Sequence, residues 1–486
     1  MKIKFLLPLI LLCYIAKAQT TGTIINVKDH GAVGDGVHDD TDPIRQSLIL
    51  AGAGGTVYFP SGTYSIQELG ASRGIIVLRN GVNMQGSGPA NCHIKLSGGR
   101  TDPKSIFYQD YTNVPSVSNV TVDGIDFDGS IALQTFASTY QYCHAFSINN
   151  GSNIEVRNCK FQAFRGDGVL FGDTDEPTLN QRVTSNVNIH DNEFVNIYRE
   201  GAMFCCTKGG SFFNNYVHGD GYLVGGVDIE RHSANEAVLN ISVYNNVFDF
   251  RDGNGPIERG AIIKYRRGVT MGYFYTGYPG GVADTLSGGH KVYNNTIYQG
   301  QIDCFGPINV IISNNTITNT YENITGVTRV SGPSINVSDS QSNTLGLTGV
   351  YVTNNVINSL IVGQGISFKR YANIIANNNT ITNTPQSGIY LVNSSGIVNG
   401  NKITDVGTAA ARVSGIGISA NAGNSVVSNN TIKDTKSGTS RSVSWGVYID
   451  TVNPTMAVSN NIAVNLYTGI IGGQTATGCS NGNVAQ

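Results

Sequence analysis

In a chain of 486 residues of which only 13% are charged, acidic and basic residues crowd into one stretch between positions 165 and 267. It contains Asp167, Arg199, Glu200, Asp228, Glu230, Arg231, His232, Glu258, Arg259, Lys264, Tyr265 and Arg266. Such a mixture has three chemical uses. Carboxyl groups in unlike surroundings act as proton donor and acceptor. Arg and Lys neutralise an anion, and a Lys with a depressed pKa serves as base beside a Tyr acid. Asp167, Glu200, Asp228 and Glu230 also form a set of hard oxygen donors of the kind Ca²⁺ prefers. The competing reading is a structural ion-pair ladder, but both signs concentrated in a charge-poor chain favour a site.

What positions these residues is a series of short strands, each opened by Gly: Gly168-Val-Leu-Phe, Gly201-Ala-Met-Phe, Gly226-Val-Asp-Ile and Gly260-Ala-Ile-Ile. Residues one and three after the Gly are apolar and face inward, so residues two and four face out. The outward positions read Leu170 and Gly172, Met203 and Cys205, Asp228 and Glu230, Ile262 and Lys264, and later Ser367 and Lys369. Asp167, Glu200 and Arg259 stand just before the Gly. Aligned residues on neighbouring strands lie about 5 Å apart, which predicts contact between Glu230 and Lys264.

Between these strands one phrase recurs: an apolar residue, two variable residues, Asn, one more residue and another apolar one, from Val156 to Phe161 through to Val458 to Ile462. Its interval of roughly 20–35 residues is that of one supersecondary unit, and its alternation is that of strands. Each copy is read as one coil of a β-solenoid, stacked because a single coil cannot bury its apolar face. Asn215, Asn246, Asn295, Asn315, Asn355, Asn379, Asn430 and Asn461 are expected to tolerate left-handed bends and to stack as a hydrogen-bonded ladder. The 60 glycines suit strands and turns rather than helical bundles. Because each coil touches only its neighbours, residues 19–486 are read as a single all-β domain of about eleven or twelve coils.

The first residues have the pattern of an export signal. Lys2 and Lys4 precede an apolar run from Phe5 to Ile15, and Ala16-Lys17-Ala18 is a small-x-small cleavage site, so residues 1–18 are expected to be removed and the protein secreted or periplasmic. Leu12 stands where a lipoprotein anchor at Cys13 needs a small residue, so no membrane anchor is expected. Cysteines 92, 143, 159, 205, 206, 304 and 479 lack metal-type spacing and read as inward small apolar residues. A formal net charge of −2 argues against nucleic acid as partner.

From Ile25 the chain runs Asn-Val-Lys-Asp-His-Gly-Ala-Val-Gly-Asp-Gly-Val-His-Asp-Asp-Thr-Asp-Pro, then a helical stretch from Ile44 to Ala51, then Gly55-Thr-Val-Tyr-Phe-Pro-Ser-Gly-Thr-Tyr. Asp40 or Thr41 is placed to cap that helix, which covers the open end of the stack. This segment resembles the opening of the pectate-lyase superfamily of right-handed parallel β-helix proteins, which includes polygalacturonase-type hydrolases, polysaccharide lyases, uronan epimerases and phage tailspikes. The resemblance implies a right-handed parallel β-helix with a short N-terminal capping helix, and a carbohydrate polymer lying in a groove on its outer face. Trimers occur among tailspikes, so monomer and homotrimer both remain open.

A second resemblance is to the motif order of polygalacturonase-type hydrolases. Their Asn-Thr-Asp, Asp-Asp, Gly-His-Gly and Arg-Ile-Lys fall on Gly166-Asp167-Gly168, Arg199-Glu200-Gly201, Val224-Gly225-Gly226 and Ile262-Ile263-Lys264. Only Asp167, Glu200 and Lys264 keep the chemical type, which argues against the standard hydrolase arrangement. The reading preferred here is therefore β-elimination on a polymer containing uronic acid, with Lys264 or Arg231 as base and Tyr265 as acid, and Ca²⁺ on the four carboxylates as a possible helper. Arg199, His232, Arg259, Arg266, Tyr273, Tyr275 and Lys369 would then bind substrate. An inverting hydrolase using two carboxylates is the alternative, and a non-catalytic glycan-binding solenoid the third reading. Tyr273, Phe274, Tyr275 and Tyr278 lie in an expected interruption of the coil from Arg267 to Gly289 and are suited to stacking on sugar rings.

Overall fold

A computed structural model describes residues 22–68, 74–137, 140–172, 182–219, 225–232, 236–251, 257–258, 261–262, 267–273, 284–320, 332–339, 347–360, 363–419, 424–450, 456–473 and 482–486. The expected export segment lies outside them. Among the described residues the chain winds into three parallel sheets of 17, 16 and 14 strands, each pairing with the strand one coil away. This is the expected parallel β-helix. The stack is longer than eleven or twelve coils because the N-terminal coils carry no Asn phrase and escape a count based on it.

Inward positions explain the stacking. Val169, Phe171, Ala202, Phe204 and Ile229 are fully buried, and Phe127, Phe161 and Phe194 form a continuous ring stack at 5.2 and 4.9 Å between successive centroids. Each such side chain contributes about 1.5–3 kcal/mol by leaving water. At the N-terminal end the helix α1 (Thr41–Ala51) lays Ile44, Leu48 and Ala51 on the first coils. The acidic cluster before it is structural, though not in the expected way. Asp40 stands at the N-cap without capping, its carboxylate accepting the amides of Val33 (2.6 Å) and Ser65 (3.1 Å) instead, while Asp39 accepts the Thr41 amide at 3.0 Å.

The Asn ladder runs through eleven coils, from Asn192 through Asn215, Asn246, Asn295, Asn315, Asn355, Asn379, Asn401, Asn430 and Asn461 to Asn483. The two Asn of each pair divide the work, which corrects the expectation that one residue does both. The first, such as Asn214, Asn245, Asn294 or Asn314, takes the left-handed backbone (φ 55 to 57°). The second turns inward: Asn315 accepts the Asn295 amide (3.0 Å) and side chain (2.9 Å) and donates to Val292 and Asn355. The six described cysteines are buried and none is in a disulfide with another described residue; Cys205 departs from the expected inward position, lying on the outer face with Leu170 and Met203.

The 14-stranded sheet carries the charged stretch. Its relevant strands are β1 (Val169–Phe171), β2 (Glu200–Phe204), β3 (Gly225–Arg231), β4 (Arg267–Tyr273), β5 (Gln301–Phe305), β6 (Ile335–Ser338) and β7 (Ile366–Lys369). The partner of β3 is β4, with Asp228 opposite Thr270 and Glu230 opposite Gly272. Two expectations fall with that register. Gly260-Ala-Ile-Ile is not the next coil strand, since Ile257–Glu258 pairs antiparallel with Ala261–Ile262 away from the stack, so Glu230 is not aligned with Lys264. Nor does the coil break at Arg267, because residues 267–273 continue the sheet.

Candidate functional site

Three outward columns result: alternation sets the second and third, and the first arises because Gly201 and Gly226 turn inward against Phe194 and Phe248, so that the residue before each faces out. The first runs Glu200, Gly225, Arg267, Gln301, with Asp167 one coil before Glu200. The second runs Leu170, Met203, Asp228, Thr270, Asp303, Asn336. The third places Glu230 opposite Gly272. Leu170, Met203 and Cys205 form a small buried apolar cluster on the outer face. Against that wall, carboxylates begin abruptly at Asp228.

All of these carboxylates are shielded from water: Asp167 and Asp303 are 0% exposed, Glu230 6%, Asp228 8% and Glu200 9%. The site is thus a covered cluster rather than an open charged face, and burial sets the direction of most of its pKa values. Burial pushes Asp167 up, but Arg199 (3.6 Å), His144 (3.3 Å) and the Glu200 amide (3.1 Å) outweigh it and hold Asp167 below the ordinary carboxylate value. Behind it, His144 Nδ1 accepts the Asp167 amide at 2.8 Å. Glu200 goes the other way. Burial first, then Asp167, push its carboxyl up to about 8, against the pull of Arg199 and Arg267.

The place Glu200 occupies exists because position 225 is Gly. A Cβ there would lie 1.8 Å from Glu200 Oε2, so the carboxyl rests directly on the Gly225 backbone. That Oε2 is buried and has no hydrogen-bond partner among the described residues. One column over, Asp228 is raised well above the usual value by burial, by Glu230 and by Glu200, and it is hydrogen-bonded to Glu230. Adjacent carboxyls repel when both are ionised, which favours the protonated form of Asp228. His232 Nε2 lies 3.2 Å from Glu230 Oε2, and Cys205, against burial, together with Glu230 raises His232 above the ordinary imidazole range. Farther along, Asp303 is raised by burial and held by Arg267 (3.2 Å), Gln301 (2.6 Å) and Asn336 (3.2 Å).

Of the residues singled out in the sequence, Asp167, Arg199, Glu200, Asp228, Glu230 and His232 are brought together. Arg231 is not: it follows the alternation of Val227 and Ile229, opposite to Asp228 and Glu230, and is 2% exposed. Lys369 is exposed and lies on β7, one coil beyond Ser338 and well past the cluster. Lys264, Tyr265, Arg259, Arg266, Tyr275 and the side chain of Tyr273 lie outside the described residues. Arg267, Thr270, Asp303 and His144 were missed. The signal for Asp303 was the pattern Ile302-Asp303-Cys304, obscured because β5 lacks the Gly between Gln301 and Ile302 that marks the other strands.

The four carboxylates do not fit a Ca²⁺ site. Arg199 sits among them, its guanidinium stabilised by Asp167, Glu200, Asp228 and Glu230 together against the cost of burial, so a fixed positive charge already stands where the ion would be needed. Among the described residues no group of three His, Cys, Asp or Glu has metal-holding geometry.

Residues 24–219 match a family described as rhamnogalacturonase A/epimerase, pectate lyase-like, and residues 327–484 match a right-handed β-helix region. Asp228, Glu230 and Asp303 fall between the two matches. Among named proteins the chain is 30% identical over 221 residues to alginate lyase 7 of Azotobacter vinelandii (42% of this chain, 24% of that one). It is 30% identical over 250 residues to mannuronan C5-epimerase AlgE1 of the same organism (49% and 16%). It is 29% identical over 182 residues to plasmin and fibronectin-binding protein A of Streptococcus pneumoniae (30% and 25%). The chain thus spans a quarter or less of the length of each of these relatives.

Proposed function

We propose that this pectate lyase-like, right-handed parallel β-helix protein is a polysaccharide-cleaving enzyme whose general acid is Glu200. The observation that carries the reading is the pair of opposite environments on adjacent coils. Asp167 is held ionised by Arg199, whereas Glu200, resting on Gly225, keeps its proton to about pH 8. Carboxyl groups with pKa values pushed apart are the requirement for acid and base roles in one site. Glu200 would give its proton to the departing glycosidic oxygen as the bond to the sugar carbon breaks.

Hydrolysis is the form of cleavage this geometry supports best. The Asp228–Glu230 pair would supply the carboxylate that takes a proton from water as its oxygen attacks the anomeric carbon. Gly225 opposite Glu200 is three residues from Asp228, so the two backbones are about 11 Å apart, which leaves room for a water between the side chains. Arg199 and Arg267 flank the acid and suit a polymer with anionic sugars. β-Elimination, the expectation from sequence, is the second reading. It is favoured by the relatives named as alginate lyase and mannuronan epimerase, but its candidate base Lys264 and acid Tyr265 lie outside the described residues.

Pectate, alginate and glycosaminoglycans, each followed for reducing ends and for the ultraviolet absorbance of an unsaturated uronate, with and without chelator, test both readings. New reducing ends without absorbance indicate hydrolysis, absorbance indicates elimination, and neither on any acidic or neutral glycan would overturn the enzyme assignment. The proposal includes export, for which a mature chain beginning at Gln19 in the medium or periplasm is the test.

A further inference from the structure

Past Asp303 and Asn336 the second outward column continues through Ser367, Tyr390, Gly417 and Tyr448 to Gly472. Aromatic rings take over from charge there. Tyr390 leans over the next coil, where a Cβ at Gly417 would lie 2.8 Å from its ring. Trp445, aligned with Ser414 and Gly469, spreads over the coil after it: a Cβ at Gly472 would lie 2.2 Å from its indole and one at Gly469 3.1 Å. Tyr448 between them is 37% exposed. The fused-ring atoms of Trp445 lie over Gly472, so glycine backbone supports the indole, while Tyr390 brings its Cδ2–Cε2 edge over Gly417. The ladder on a neighbouring sheet behaves differently: Phe213, Tyr244 and Tyr293 stack face to face at 4.9 Å and 1 to 5°, burying their faces in one another.

We propose that Tyr390, Tyr448 and Trp445 form a distal carbohydrate-binding platform, on which the pyranose rings of the same polymer stack after it leaves the carboxylate cluster. Three features support a glycan as occupant. An indole backed by glycine matches the apolar face of a sugar ring, which carries C–H groups and needs no charged partner. Tyr390 and Tyr448 lie in the column of Asp228, with Trp445 in the neighbouring column of the same sheet, so a polymer laid along the helix axis meets both. Seven coil steps separate Asp228 from Tyr448 in that register, about 34 Å at the spacing of parallel strands. Lys369, exposed one coil before Tyr390, offers a cation to an anionic chain along the way. This inference rests on the polysaccharide reading of the site but not on the reaction.

Trp445 is the chain's one tryptophan, so its emission reports the platform alone. The Glu200→Gln protein is titrated with polygalacturonate, with alginate and with a neutral dextran. A saturable change in Trp445 emission with an acidic polymer, weakened at least tenfold by Tyr448→Ala, is expected. In the parent background Tyr448→Ala should raise KM for the polymer while kcat/KM for short oligosaccharides stays within about twofold. An emission unmoved by a polymer that the parent cleaves, or by all three polymers, overturns the platform. An emission response without cleavage of any polymer leaves the platform standing and removes the enzyme assignment instead.

Discussion

Replacing Glu200 with Gln separates catalysis from stability in opposite directions. Gln has the shape and neutral charge of protonated Glu200 but no proton to give. General acid catalysis contributes about 10²- to 10⁴-fold, so Glu200→Gln should lower kcat on the polymer by that factor near pH 6.5. The stability effect follows from the proton balance. The folded protein holds the Glu200 proton to about pH 8, whereas the unfolded chain releases it near the ordinary 4.5. The native state therefore binds more protons across that window, and its stability falls as pH rises from 4.5 to 8. At about 1.4 kcal/mol per pH unit the full penalty above pH 8 is roughly 5 kcal/mol, and about 2–5 kcal/mol after local relaxation. Below pH 4.5 it vanishes. Urea unfolding at pH 5 and pH 9 should show the variant gaining that amount relative to the parent only at pH 9. An unchanged kcat, or a stability difference equal at both pH values, would refute the account of Glu200 as a buried acid.

Gly225→Ala places a methyl against the buried Glu200 carboxyl, which must shift to admit it, so it should cost about 1–3 kcal/mol in urea unfolding while lowering kcat at least tenfold; a fully active variant would show that the Glu200 position is irrelevant. Asn315→Ala removes four buried hydrogen bonds, taking the acceptor from the Asn295 amide and one of two acceptors from its side-chain NH2, an expected loss of about 2–6 kcal/mol at 1–3 kcal/mol for each of those two donors; a loss below 1 kcal/mol would show that neighbouring coils re-pair. His290 is fully buried and burial lowers its pKa to about 3, so the unfolded chain takes the extra proton. Stability should then be fully present above pH 6.5 and decline towards pH 3, and His290→Gln should flatten that decline. A slope identical in parent and variant would assign it to other groups.

The fold was legible because a solenoid writes its geometry as a period. One inward Asn and one left-handed Asn in most of the ladder's coils produced a visible pair such as Asn214-Asn215, with Asp191, Gly400 and Gly482 taking the left-handed place in others, and strand alternation separated inside from outside. The site was half legible. Asp167, Glu200 and Asp228 were found because a Gly-opened strand marks their columns. Asp303 and Thr270 were not, because β5 drops that Gly and Gly260 offered a false copy of it. A short apolar strand beginning with Gly has the same local pattern whether it joins a 14-stranded sheet or a two-stranded hairpin. Only pairing with the neighbouring coil distinguishes them, and pairing is a long-range property.

Stacking also explains why the cluster is spaced as it is. A parallel β-helix puts residues of one column about 4.8 Å apart by construction, where two ionised carboxylates repel by roughly 3.5 kcal/mol at an effective dielectric constant of 20, and doubling the distance halves that. The second column obeys this arithmetic: Asp228 is followed by Thr270 and only then by Asp303, two coil steps on. The first obeys it on one side, where Glu200 is followed by Gly225 and then Arg267. On its other side Asp167 stands on the adjacent coil, and there Arg199 offsets the repulsion for Asp167 while Glu200 is pushed up. Asp228 and Glu230, two residues apart along a single strand, also repel, and Asp228 is raised by it. Acidity within the site is therefore distributed by coil register, so a substitution of Thr270 by Asp, far from the Glu200 carboxyl, would still disturb the protonation of the whole cluster.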